Sequence, residues 1–191
     1  MSSFYSMLFR MKYIDRWSLM RSTRKENLSE HTLEVAFIAH CLCVIEKRRF
    51  SRIVDTEKVL LGALFHDTSE VITGDLPTPV KYYNPDIKTA YKKIEKTAEQ
   101  KLLSLLPEDF KDDFTEVYSL DENTKQIIKA ADKLSALIKC TEEVRSGNNE
   151  FSKALKSTKN AIDDMQYPPA EVFIEEFLPS FSLSLDEQTG F

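Results

Sequence analysis

The chain is 191 residues long, enough for one well-buried domain and too short to demand a second; its 42% hydrophobic and 30% charged residues, with only 4 glycines and 7 prolines, exclude a disordered or low-complexity class. A net charge of −5 excludes the broad basic face that a nucleic-acid polymer requires. The 3 cysteines, Cys41, Cys43 and Cys140, are odd in number and lack CxxC spacing, which excludes a disulfide framework and a thiolate zinc site and suits reduced thiols.

In chain order, the opening MSSFYSMLFRMKYIDRW is broken by Arg10, Lys12, Asp15 and Arg16. It offers no signal-peptide core and no membrane span, so a cytoplasmic protein is expected. Asn27 followed by Glu30 resembles a capping box; it starts a helix with Leu33, Ala36, Phe37 and Val44 along one side that fades at Lys47 to Arg49. A second helix is expected from Asp55 or Thr56 through Leu60, Leu64 and Asp67 to Gly74, followed by a stiff loop in TGDLPTP, whose glycine and prolines stop the helix. Asn84 and Pro85 read as N-cap and first residue of a long helix carrying Ile87, Tyr91, Ile94, Ala98, Leu102 and Leu105, closed by Pro107. A shorter helix over Glu108 to Val117, another from Asp121 to Val144, and two more over Phe151 to Met165 and Ala170 to Leu178 complete the pattern. The tail SFSLSLDE is expected as an extended segment packed on helices. The fold class expected is all-α, a single domain over residues 1–191 with roughly seven to nine helices.

The pair His66-Asp67 stands in an apolar run, with Leu60, Leu61, Ala63, Leu64 and Phe65 before it and Val71 and Ile72 after it. A carboxylate in such surroundings needs a partner, and with the adjacent imidazole it can grip one divalent cation. The dipeptide alone also fits a helix-surface aspartate beside a core histidine. Of the other histidines, His31 and His40 lie about 180° apart around one helix, so they do not face the same ion. His31, beside Glu30 and Glu34 near a helix start, is the candidate ligand, and His40, among Ile38, Ala39, Cys41 and Leu42, reads as structural. Asp132 shares a helix face with Ile128, Ser135 and Ala136, which leaves its charge poorly compensated. A cation resolves that conflict, and so does an ion pair with Lys129 or Lys133. Glu70 lies one turn beyond His66 and Asp67 on the same expected helix face.

The order His31, His66-Asp67, Asp132 resembles the HD-domain superfamily of metal-dependent phosphohydrolases. The segments RWSLM, ENLSEH, HDTSEVITGDLPTPVKY, EEVRSGNNEF and PSFSLSLDE are similar to the bacterial HD-domain 5′-deoxynucleotidases, the YfbR-type family, from about Leu8 to Glu187. That resemblance implies one divalent metal ion per chain, with cobalt, manganese or another transition metal held by His31, His66, Asp67 and Asp132. It implies Glu70 as general acid/base and Arg16 as the group that orients the phosphate. It further implies Trp17 as a wall that crowds a 2′-hydroxyl, and a substrate loop of Asp75, Leu76, Pro77 and Thr78 in which Asp75 accepts from the 3′-hydroxyl. His31, Asp67 and Asp132 would lie against the substrate as well as the ion. Deoxyribonucleoside 5′-monophosphates are the expected substrates, with broad tolerance of the base. A second copy in a homodimer is the expected partner, with no nucleic-acid polymer and no membrane. Triphosphohydrolysis, cyclic-nucleotide phosphodiesterase activity, or a helical module that an ion merely stabilises are the alternatives.

Overall fold

The computed structural model describes residues 1–190 except Tyr82, and describes Thr78 by its backbone alone. Among these residues the longer helices are α1 (Leu28–Arg49), α2 (Thr56–Phe65), α3 (Pro85–Leu103), α4 (Lys111–Tyr118), α5 (Glu122–Arg145), α6 (Ser152–Asp163) and α7 (Pro168–Glu176). Single helical turns occur at Glu70–Thr73 and Thr78–Lys81, and β-structure among the described residues is limited to an isolated antiparallel bridge between Asp15 and Asn27. The fold is all-α, as expected.

Contacts divide the chain into two compact units, Met1–Leu33 with Leu64–Asp121, and Glu34–Ala63 with Glu122–Phe191. In the first, Phe4, Leu102 and Leu106 form a buried cluster with Phe65, Val71 and Phe114 packed against it, and the Phe4 and Phe114 rings meet edge to face at 4.9 Å. Helix α3 feeds this cluster from a well-made start: Asn84 Oδ1 accepts from the Ile87 amide at 2.8 Å, and Pro85 follows at the first helical position. Asn84→Ala should cost about 1 kcal/mol, read as a lowered urea midpoint at unchanged slope.

In the second unit α5 packs along α6 and touches α7. Glu46 is fully buried there, accepting from the Tyr167 hydroxyl at 2.7 Å and from Arg52 Nη1 at 3.1 Å to each carboxylate oxygen. A lone buried carboxylate is costly, so Tyr167 and Arg52 are what make this position tolerable.

Asn27 does open α1 with a full capping box, its Oδ1 accepting from the Ser29 and Glu30 amides at 3.0 and 3.1 Å while Glu30 Oε2 accepts from the Asn27 amide at 3.3 Å. The face α1 buries includes Leu28, His31, Val35, Ile38, Ala39, Leu42, Ile45 and Glu46; of the expected side Ala36 is buried, whereas Leu33, Phe37 and Val44 are exposed. Two polar residues inside the buried stripe hid it from a hydropathy pattern. His40 falls on the exposed side and is not a core histidine. By length and composition α1 is apolar enough to cross a bilayer, but 56% of its apolar window is buried within the protein. Both prolines at 168 and 169 belong to the first turn of α7, where their missing amides cost nothing. The tail is not extended: Leu185–Thr189 is helical, started by a capping box between Ser184 and Glu187.

Candidate metal centre and substrate site

The expected continuous helix to Gly74 breaks at Phe65. Thr68 Oγ1 donates to the Phe65 carbonyl at 2.8 Å, and the amides of Thr68, Glu70, Val71 and Ile72 bond three residues back instead of four. A hydroxyl that takes the carbonyl needed by the next helical turn explains the break, and contact between the Thr68 and Tyr118 hydroxyls at 2.8 Å holds the turn in place. Gly74 ends the short helix Glu70–Thr73 with φ of 73°, a conformation suited to glycine, and the Asp75 loop starts there. The prolines of that loop do not keep it wholly irregular, since Thr78–Lys81 forms one helical turn with Pro79 inside it.

This turn aims adjacent side chains at one point, which an unbroken helix does not do. Asp67 Oδ2 lies 3.1 Å from His66 Nε2, 3.6 Å from His31 Nε2 and 3.6 Å from Arg16 Nη1. One ligand atom from each of His31, His66 and Asp67 falls within 4.8 Å of the others. Donors bound to one ion at about 2.1 Å sit about 3 to 3.5 Å apart, so two imidazoles and a carboxylate at these separations suit a divalent cation.

Arg16 and Trp17 reach this point by way of a short antiparallel pairing. The Leu28 amide donates to Ile14 and the Arg16 amide to Glu26, both at 2.9 Å, which lays residues 14–16 beside 26–28. Trp17 then turns away with φ of 58°, left-handed backbone that a bulky residue rarely adopts. Glu26, with its side chain 8% exposed, accepts from Arg16 Nε at 2.9 Å and from Trp17 Nε1 at 3.1 Å.

Glu70 is buried at 5% exposure, and its Oε2 has no hydrogen-bond partner among the described residues. Burial, then the charges of Asp67 and Asp75, push its carboxyl up to about 9, against the opposing pull of Arg16 and Lys81. Asp75 is raised too, by burial first and then by Asp67, with Arg16, His31 and Lys81 opposing. Leu76 and Pro77 are half-buried beside it, and the side chain of Thr78 lies outside those described.

The first unit therefore gathers Arg16, Trp17, His31, His66, Asp67, Glu70 and Asp75. Asp132 stands half-buried on α5 in the second unit. Two residues escaped the sequence reading. Glu26 lies in the segment ENLSEH, while the acidic residues nearest His31 in sequence are Glu30 and Glu34. Glu30 is occupied by the cap of α1 and by Arg24 at 3.3 Å, and Glu34 accepts from Ser135 at 3.2 Å. Lys81 follows the Asp75 loop, held by Glu95 at 2.9 Å, and acts on the charge of both Glu70 and Asp75.

Comparison with known proteins bears on this arrangement. The family model described as 5′-deoxynucleotidase YfbR-like matches residues 3–181. A 5′-deoxynucleotidase of Vibrio parahaemolyticus is 51% identical over 189 residues, 97% of each chain. Among solved structures, an HD-domain phosphohydrolase of Listeria innocua superposes with a TM-score of 0.81 at 23% identity, covering 94% of this chain and 88% of its own. The HD phosphohydrolase DatZ of cyanophage S-2L, bound to dA and one catalytic Zn2+ ion, does so with a TM-score of 0.62 at 17% identity over 92% and 96% of the two chains. Both share the helical fold, while the family match and the half-identical relative speak to lineage, and on those two findings the chain belongs to the YfbR-like family of 5′-deoxynucleotidases.

Proposed function

We propose that this 5′-deoxynucleotidase hydrolyses deoxyribonucleoside 5′-monophosphates, with broad tolerance of the base, to deoxynucleosides and orthophosphate, using one divalent ion per chain. The observation that carries the reading is the convergence of His31, His66 and Asp67 within 4.8 Å. Asp132 is the fourth ligand in this proposal on the strength of the sequence resemblance. The mixed nitrogen and oxygen donor set suits cobalt, manganese or another transition metal. An ion so held supplies Lewis acidity toward the phosphoryl oxygens and lowers the pKa of bound water.

The remaining roles belong to the chain itself. Arg16, fixed at Nε by Glu26, turns its Nη1 toward Asp67 and is placed to pair with a phosphate oxygen. Glu70, held protonated by burial and by neighbouring carboxylates, is suited to give a proton to the leaving 5′-oxygen. Asp75 accepts from the 3′-hydroxyl and Trp17 fills the space of a 2′-hydroxyl. A loop that touches mainly sugar and phosphate would give broad tolerance of the base. A homodimer, from the family resemblance, and a cytoplasmic location complete the proposal.

Orthophosphate release decides among the activities, measured with dAMP, AMP, dATP and a cyclic nucleotide under defined metals. Orthophosphate from dAMP far above AMP is expected; tripolyphosphate from dATP or ring opening at a higher rate would replace the reading with one of its alternatives. Exclusion of one hydroxyl is worth about a hundredfold, so Trp17→Ala should bring the dAMP to AMP ratio of kcat/KM down by at least about tenfold. An unchanged ratio removes Trp17 from selectivity.

A further inference from the structure

We propose that Glu26 is the positioning residue of this site, a single carboxylate that sets Arg16, Trp17 and His31 at once and so couples phosphate orientation, sugar selectivity and metal affinity. The proposal rests on the roles given above to Arg16 and Trp17 and extends them to a residue that touches neither substrate nor ion.

The geometry is specific. Glu26 Oε1 accepts from Arg16 Nε at 2.9 Å and stands 3.5 Å from His31 Nδ1, while Oε2 accepts from Trp17 Nε1 at 3.1 Å. A carboxylate offers about four lone-pair sites on two oxygens, enough for three donors, whereas glutamine offers one oxygen and puts an amino group where the other acceptor stood. The three recipients also differ in what they require. Arg16 needs its guanidinium plane fixed, because bidentate recognition of an oxyanion depends on orientation as much as charge. Trp17 needs restraint on a left-handed backbone at φ of 58°, a strained conformation that persists only where the surroundings enforce it.

His31 needs its ring orientation and its tautomer. Its Nε2 faces Asp67 at 3.6 Å and its Nδ1 faces Glu26 at 3.5 Å, so the two ring nitrogens point at different carboxylates. A proton on the Glu26 side leaves a lone pair on the Asp67 side, the arrangement in which an outer carboxylate both fixes a ligand imidazole and raises its basicity. The backbone secures the same relation, since the Arg16 amide donates to the Glu26 carbonyl at 2.9 Å and keeps residues 16 and 17 in register with 26.

The chain has 1 tryptophan, so its fluorescence reports on Trp17 alone, with or without metal. The test compares full-length Glu26→Gln and Glu26→Asp with the parent in three measurements: acrylamide quenching of the metal-free protein, cobalt(II) affinity by spectrophotometric titration, and the dAMP to AMP ratio of kcat/KM. In Glu26→Gln, quenching should rise, cobalt affinity should fall about tenfold to a hundredfold, and the ratio should fall severalfold. Glu26→Asp keeps both oxygens but withdraws them by one methylene, and should lie between parent and glutamine variant in all three. It also carries the test if the glutamine variant does not fold. A folded variant in which any of the three stays at the parent value overturns the claim that one carboxylate governs them together. Loss of thermal stability with all three unchanged assigns Glu26 to the scaffold and overturns it equally. If Trp17→Ala leaves the ratio untouched, the sugar-gate reading fails by itself, and the quenching and cobalt measurements decide the case of Glu26.

Discussion

Replacing Asp67 by alanine should abolish phosphate release and metal retention together. Its Oδ2 faces His66 Nε2 at 3.1 Å, His31 Nε2 at 3.6 Å and Arg16 Nη1 at 3.6 Å, so its removal leaves three cationic or metal-ligating groups without their shared anion. A bound metal contributes several kcal/mol to phosphoryl transfer, and at about 1.4 kcal/mol per factor of ten the loss in kcat/KM should be at least about a thousandfold. Metal content by elemental analysis and orthophosphate release before and after chelation check this. Full turnover in Asp67→Ala, or in chelated parent protein, would sink the metal mechanism.

The second large effect belongs to Glu70. Glu70→Gln removes the proton but keeps the shape, so kcat should fall by about a hundredfold to ten-thousandfold with KM little changed. The same substitution makes a separable prediction about stability. In the metal-free protein Glu70 is raised from its ordinary 4.5 to about 9, by burial first and then by Asp67 and Asp75. The folded state therefore holds this proton more tightly than the unfolded chain. Its contribution is whole below about 4.5 and is lost as pH rises from there through about 9. Glutamine does not titrate, so metal-free Glu70→Gln should gain on the parent across that interval, by several kcal/mol at pH 8, and match it near pH 4. Urea denaturation at the two pH values measures the difference. A variant that loses stability relative to the parent as pH rises contradicts the raised carboxyl.

Much of this was legible in the residues because it depends on neighbours in sequence. Asn27 with Glu30 and Asn84 with Pro85 mark helix starts through hydrogen bonds that close within three residues, and the structure contains both caps. His31, His66 and Asp67 stand out in the sequence by their chemistry, as imidazoles and a carboxylate beside apolar residues, and the structure brings one ligand atom of each within 4.8 Å of the others. What escaped depends on competition or on distance. The break after Phe65 turns on one hydroxyl displacing one amide, a choice that Thr68 settles with help from Tyr118, fifty positions away. Glu26 escaped because its partners lie 10 and 9 positions back in the chain, across a pairing too short to leave a strand pattern. His40 was placed in the core by its apolar neighbours, but neighbours in sequence on a helix occupy other faces.

The two units have a consequence for how the molecule can be made. Each is assembled from separated stretches of chain, 1–33 with 64–121 and 34–63 with 122–191, so neither corresponds to a fragment that can be expressed as one uninterrupted piece. During synthesis from the N-terminus, the segment that begins the second unit is complete long before its counterpart emerges. Glu46 waits 121 positions for the Tyr167 hydroxyl that shares its burial. The second unit accordingly cannot close before α7 has been made, and nascent chains halted before α7 should be open to proteases and dependent on chaperones.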